Sequence, residues 1–426
     1  MILNYKRTIF IGFAFMSICS FSVLYDSVVP LILENTFGMK QTLTGTVMAL
    51  DNILAMFMLP LFGSFSDKVS SRFGKRTPFI VLGTLVAVCS MIFMPLADEK
   101  GNLAVFFVAL GVVLVAMSTY RSPAVALMPD LTPKPLRSKA NAIINLMGAV
   151  GGVYTLIMIK LLVPKVAEGE KADYTFLFIS VAVLMVIAVI LLLLTINENK
   201  LRNQIVIEET ETVIVEGKER LPNEVKKSLV FLLLSVSLWF IAYNAVQSTF
   251  SRYVEDFLGI KGGVYATFLM VGTIAAVISY IPIGIFSNKI GRKKIILIGI
   301  TVMTLGFLFA IPLRSNSILM NMVFIMVGIG WAAINVNSYP MVVEMSKGSD
   351  IGKYTGFYYT FSMSAQVITP ILSGFLIEKL DIGYMVLFPY AAIFSALAFI
   401  TMCYVKHGDT KPLLKKSLIE NIGGDD

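Results

Sequence analysis

Twelve stretches of this chain are apolar enough, and long enough as helix, to cross the ~30 Å hydrocarbon core of a bilayer. Their limits lie near 9–33, 43–65, 79–97, 103–129, 139–162, 174–195, 228–251, 263–286, 295–313, 318–342, 353–378 and 383–405. In hydrocarbon a backbone must satisfy its own N–H and C=O groups, so runs of this length are expected to be helices. Six fall on each side of a polar segment, 196–227. The fold class expected is therefore all-α: a polytopic membrane protein with twelve transmembrane helices as two pseudo-symmetric six-helix bundles. The expected division is 1–199 for the first bundle, 200–227 for a cytoplasmic linker, 228–405 for the second bundle and 406–426 for a cytoplasmic tail. A composition of 57% hydrophobic and 15% charged residues agrees with lipid as the solvent.

Most of the 35 Lys and Arg fall in alternate segments: the amino terminus, the loops after even-numbered runs and the carboxyl tail. Cytoplasmic loops retain such residues, which predicts both termini in the cytoplasm and a multi-pass protein of the cell membrane. The same rule explains the net charge of +8, so no nucleic-acid partner is expected. Lys6 and Arg7 precede the first run as they would in a signal peptide. That run is long and lacks a small-residue cleavage pattern, so it reads as a retained span. Between the two sets of runs, Gln204 to Gly217 alternates apolar with polar or acidic residues, as a small hairpin or a tether would.

Enzyme chemistry finds no footing here. Cys19, Cys89 and Cys403 lie far apart in apolar runs, which argues against a disulfide framework or a metal site. The single histidine, His407, lies beyond the last run, so a histidine proton relay is excluded. No nucleophile, metal or phosphate-loop constellation is present; neither a catalytic activity nor a cofactor is expected.

Two turns are copies of each other. Gly63 to Arg76 reads GSFSDKVSSRFGKR and Gly284 to Lys294 reads GIFSNKIGRKK, each closing an apolar run. They stand about half of the 426-residue chain apart, which points to internal duplication. Their shared skeleton is Gly63 or Gly284, then Asp67 or Asn288, then Gly74 or Gly291 ahead of a basic cluster. Lys68, Arg72, Lys75 and Arg76 supply the cations of the first copy; Arg292 and Lys293 begin those of the second. Asp130 and Glu344, after the fourth and tenth runs, form a further similar pair.

This loop, repeated after the second and eighth of twelve runs, resembles the signature loop of the major facilitator superfamily, and the resemblance extends over the whole chain. SDKVSSRFGKRTPFI, from Ser66 to Ile80, carries an insertion and is similar to the sucrose-transporter branch. YRSPAVALMPDLTPKPLRSKANAI, from Tyr120 to Ile143, resembles the fourth span of those carriers and of the glycoside, pentoside and hexuronide cation symporters. The resemblance implies alternating access, with the two loops as gating latches. Gly63 and Gly284 would permit close helix approach. Asp67 would meet a helix amino terminus or a base in one access state and leave it in the other. Asn288 replaces that acid in the second copy, which removes the charge from any such contact there.

Three ionisable residues lie well inside the runs, where a charge costs several kcal/mol unless paired or hydrated. Asp26 and Asp51 come to similar depth on successive antiparallel helices, ~12–14 Å below the outer surface at 1.5 Å per residue. Arg121, on the fourth run, reaches toward them. Such a group suits an ion-coupling site; it equally suits a structural ion pair that locks helices together. Relatives among the cation symporters use acids on the first two helices for sugar and ion, and the resemblance implies Asp26 and Asp51 here. A proton is the ion the branch implies. Sodium is the alternative, with Asn52 beside Asp51 adding an oxygen ligand.

Both tryptophans lie near the centre of a run rather than in the interfacial belts. Trp239, Tyr243 and Gln247 recur at i, i+4 and i+8, and Trp331, Asn335 and Tyr339 do the same. Rings that stack on the C–H faces of a sugar, beside amides that bond its hydroxyls, suit a carbohydrate site; ordinary helix packing is the other explanation. Asn145, with Gly148, Gly151 and Gly152, would add a polar wall in the first half. The expected function is secondary active transport of a sugar, a disaccharide or glycoside, with protons. An exporter of drugs or apolar metabolites and a non-transporting sensor are the competing readings. The expected partners are the sugar, the coupling ion and the lipid bilayer, with the protein as a monomer.

Overall fold

A computed structural model describes residues 3–69, 71–132, 137–164, 171–201, 222–314, 318–345, 351–380 and 383–409. The segment Gln204 to Gly217, read above as a hairpin or tether, lies outside the described residues, as does most of the expected tail.

Among the described residues twelve helices are long and apolar enough to cross a membrane. They are α1 (Tyr5–Asn35), α2 (Gln41–Lys68), α3 (Thr77–Met91, continued as Phe93–Glu99), α4 (Leu103–Asp130), α5 (Arg137–Leu162) and α6 (Thr175–Thr195). The second six are α7 (Asn223–Arg252), α8 (Val264–Ile290), α9 (Arg292–Ala310), α10 (Ile318–Glu344), α11 (Ile351–Lys379) and α12 (Leu387–Cys403). The interruption in α3 has a local cause. Pro95 offers no N–H to the carbonyl of Met91, four residues back, and its ring crowds that carbonyl. At the end of α7 the helix widens into a π-turn, Tyr253–Phe257, which sets Arg252 and Glu255 facing the first bundle.

Within the first bundle α1 packs on α5 and α6, and α4 packs on α2 and α3. The same pairings recur six helices later: α7 on α11 and α12, and α10 on α8 and α9. The two bundles meet along α2 with α11, α5 with α8, and α1 with α7, a set that maps onto itself when the halves are exchanged. Below, the face that carries the amino terminus is the near face, and the other is the far face.

The bundles are closed against each other toward the far face. There α2 and α11 approach so closely that a Cβ on Gly45 would strike the carbonyl of Pro370, and one on Gly374 the carbonyl of Gln41. Small residues at such crossings let backbones meet without loss of packing. Gly374→Val is therefore expected to destabilise the protein by about 1–3 kcal/mol, the usual cost of overpacking. Gly111→Val, in open space, should change nothing. Thermal unfolding of the two purified variants in detergent checks this.

Candidate functional site

The charged residues found inside the runs meet in one place. Asp26 on α1, Asp51 and Asn52 on α2, and Arg121 on α4 line a pocket of about 130 Å³, closed on the other side by Asn244, Gln247 and Ser248 of α7 and by Gln366 of α11. Both bundles thus contribute a wall. The hydroxyl of Tyr25, beside Asp26, donates to the carbonyls of Val47 at 3.0 Å and Met48 at 3.2 Å, which fixes α1 against α2 at this level. Arg121 Nη1 stands 3.6 Å from Asp51 Oδ2, an ion pair rather than a tight hydrogen bond. Asp26 has no ion-pair or hydrogen-bond partner among the described residues. Two carboxylates against one guanidinium leave an acceptor-rich site that a cation, a proton or a set of hydroxyl donors would complement.

The ring stripes meet in part. Tyr243 and Trp331 stack with centroids 3.9 Å apart and planes 5° from parallel, and Phe240 meets Trp331 edge-on. Gln247 links them to the pocket: its amide donates to the Tyr243 hydroxyl at 2.5 Å. Trp239 departs from the expected stripe, being wholly buried with its indole N–H unpartnered. An i, i+4, i+8 series advances about 40° per step on a 3.6-residue helix, so its ends face different neighbours. Asn335 is exposed and bonds Tyr280, while Tyr339 packs on Tyr358. Asn145 is exposed on α5 and lines no part of the pocket; Gly148 and Gly151 next to it pack against α1.

Asn244 and Gln366 were not singled out from the sequence. The Asn244 amide nitrogen is buried and unpartnered, a donor available to a ligand. Polarity inside an apolar run was the signal available, one residue past Tyr243 and in the segment YYTFSMSAQ of α11.

At the near face each duplicated turn is clamped within its own bundle. Arg76 bonds the carbonyl of Gly63 at 3.1 Å, the hydroxyl of Ser66, and Asp130 through Nε at 2.8 Å; Lys75 pairs with Asp130 at 3.1 Å. Gly74 turns the chain at φ 114°. Glu198, just past α6 and only 1% exposed, accepts the backbone N–H groups of Lys75 at 2.8 Å, Arg76 at 3.0 Å and Thr77 at 2.9 Å. It thereby caps α3 from outside the helix. In this conformation the amino terminus of α3 is occupied by Glu198; the side chains of Asp67, expected at a helix amino terminus or a base, and of Asn288 lie outside the described set. Lys68 ends α2 exposed, and Arg72 lies over the Phe73 ring.

The second turn repeats the plan. Gly291 has φ 95°, Arg292 pairs with Glu344 at 2.6 Å, and Asp409, just past α12, accepts the N–H groups of Arg292 at 2.5 Å and Lys293 at 3.3 Å. Lys293 also donates to the carbonyl of Cys403. The close approach expected at both leading glycines holds only for Gly63, where a Cβ would meet Ser122. At Gly284 a Cβ would meet nothing within 4 Å among the described residues.

The far face holds what the sequence did not disclose, a polar seam between the bundles. Arg252 Nη1 and Glu34 Oε1 are 2.5 Å apart and nearly buried, and the Tyr384 hydroxyl donates to the same carboxylate at 2.8 Å. Asn35 donates to Glu255 at 3.3 Å, and the Thr42 N–H to Glu378 at 3.2 Å. Removing one partner of a buried ion pair costs about 3–5 kcal/mol because the other charge stays uncompensated. Glu34→Gln should thus open this face, and a cysteine placed at Ser248 should then react faster with an impermeant thiol reagent added from the far side. An unchanged rate would show that the seam does not hold the face shut.

Comparison with known proteins fits this architecture. Residues 10–346 match the MFS/sugar transport protein family, and the chain belongs to it. It is therefore a multi-pass membrane transporter of the major facilitator superfamily, a family of carriers and not of enzymes. An uncharacterized MFS-type transporter of Methanocaldococcus jannaschii is 25% identical over 87% of this chain and 88% of its own length. The sucrose transport protein SUC3 of Arabidopsis thaliana is 26% identical over 28% of this chain, and the human proton-associated sugar transporter A is 29% identical over 31%. Those matches span only 23% and 19% of the two relatives. The crystal structure of a D-xylose–proton symporter superposes with a TM-score of 0.72, at 14% identity, over 95% of this chain and 99% of its own; at that identity the likeness is one of fold.

Proposed function

We propose that this protein is a secondary active transporter that moves a sugar, a disaccharide or glycoside, together with protons by alternating access. The observation that carries the reading is the pocket itself. Asp26, Asp51 and Arg121 from one bundle face Asn244, Gln247 and Gln366 from the other, on the line where the bundles must part. In the far-face-closed state its 130 Å³ is about the volume of four waters. That is room for a coupling ion or the hydroxyl edge of one sugar ring, with the Tyr243–Trp331 pair continuing beyond it. Asp26 and Asp51 are assigned to ion coupling with Arg121 as their counter-charge; Asn52, Gln247 and Asn335 are assigned to sugar hydroxyls. The wall of carboxylates and amides disfavours an exporter of apolar compounds.

In this reading the protein sits in the cell membrane with the near face and both termini on the cytoplasmic side, and the bundles 1–199 and 228–405 work as one monomer joined by the linker 200–227. The family matches to a sucrose carrier and a proton-associated sugar transporter support the substrate class and the ion. Uptake of a labelled sugar panel into proteoliposomes, under separate proton and sodium gradients, tests it. A proton gradient should drive accumulation of at least one sugar, and Asp51→Asn should abolish that accumulation. Undiminished uphill uptake by the variant sinks the assignment, and drive by sodium alone replaces the ion. Trp331→Ala should weaken sugar affinity several-fold, since an aromatic platform contributes on the order of 1 kcal/mol, with unfolding temperature nearly unchanged. An unaltered affinity returns the Tyr243–Trp331 stack to packing.

A further inference from the structure

A second recess, of about 600 Å³, opens at the near face between the start of α1 and the end of α6, remote from the transport pocket. Lys6, Arg7 and Lys200 line it, and no acid does among the described residues. None of these three side chains has an ion-pair or hydrogen-bond partner among the described residues. The nearest acid in sequence, Glu198, is turned away, with its carboxylate on the backbone of Lys75, Arg76 and Thr77.

The two asparagines in the wall sharpen the recognition. Asn4 accepts the Arg7 N–H through its side-chain oxygen at 3.0 Å, and Asn197 accepts the Lys200 N–H in the same way at 3.0 Å. Each amide oxygen is thereby engaged, which leaves the two NH₂ groups as donors. The polar end of the recess consequently offers three cations and two amide donors. Its complement is an anion with several acceptor oxygens, and a phosphate meets that description.

The other end of the recess decides the source of the phosphate. Phe10 lines it one turn below Arg7, and the neighbouring Ile9 and Leu194 are exposed, Leu194 by 78%, on the surface that a bilayer would cover. A site that is cationic at the membrane surface and continuous with an apolar flank fits a molecule built the same way. We propose that this recess binds the phosphate headgroup of an anionic phospholipid, with the acyl chains lying along α1 and α6. Each Lys or Arg beside an anionic membrane surface contributes about 1 kcal/mol of attraction, which sets the scale expected for this recess.

Native mass spectrometry of the full-length protein in detergent, titrated with phosphatidylglycerol and separately with phosphatidylcholine, tests this. The wild type should retain phosphatidylglycerol and little phosphatidylcholine. The triple variant K6Q/R7Q/K200Q should bind phosphatidylglycerol more weakly on the order of 100-fold, from three cations at the per-residue value above. K226Q/K227Q/K294Q, which removes three exposed cations elsewhere on the near face, should bind as the wild type does. Equal retention of both lipids, equal loss in the two triple variants, or unchanged binding in K6Q/R7Q/K200Q overturns the proposal. Displacement of phosphatidylglycerol by equimolar inorganic phosphate also overturns it, in favour of a free-anion site. Should the triple variant fail to fold, Lys200→Gln, at an exposed position, is read in the same way, with an expected loss of about fivefold.

Discussion

Hydrocarbon supplies no hydrogen bonds, and the organisation of this protein follows from where its polar groups find partners instead. Backbone groups find them within the helices. Charged side chains find them at three levels: Glu34 with Arg252 at the far face, Arg121 with Asp51 in the pocket, and Asp130 and Glu344 with the basic turns at the near face. An unpartnered charge at any level would cost several kcal/mol, so each pair constrains which helices lie together.

The levels differ in whether they join the bundles or stay within one. The near-face clamps are internal. Glu198 holds the start of α3 for the first bundle, and Asp409 holds the start of α9 for the second. Such contacts survive a rotation of one bundle against the other and stiffen each as a body. The seam from Glu34 to Arg252 crosses between bundles, as does the backbone crossing of Gly45 with Pro370. Those contacts must break if the far face is to open. Between these levels lies the pocket, whose walls come from both bundles, so a change in what it holds bears directly on how the halves sit. The lipid-facing recess at Lys6 and Lys200 lies on the first bundle near Glu198, where a bound anion would brace the end of α6.

Much of this was legible in the chain. The apolar runs are local and depend only on length and hydropathy, so their number and order match the helices observed. The co-location of Asp26, Asp51 and Arg121 was legible because depth follows from counting residues along antiparallel helices. Trp239 was not, since a helical stripe identifies a face without saying which neighbour covers it. Glu198 and Asp409 were invisible for a related reason: each caps a helix distant in sequence, and no local pattern marks an acid that acts across a bundle.

The sequence by itself determined the solvent, the twelve spans, the duplication and the identity of the rare intramembrane charges, because the transfer free energy of each residue is a property of that residue. Only the tertiary structure decided which acid caps which helix, that Asn244 and Gln366 complete the pocket, that Trp239 lies outside it, and that Glu34 reaches Arg252. Those are relations between segments up to half a chain apart, and they exist only once packing has fixed the distances and excluded the solvent.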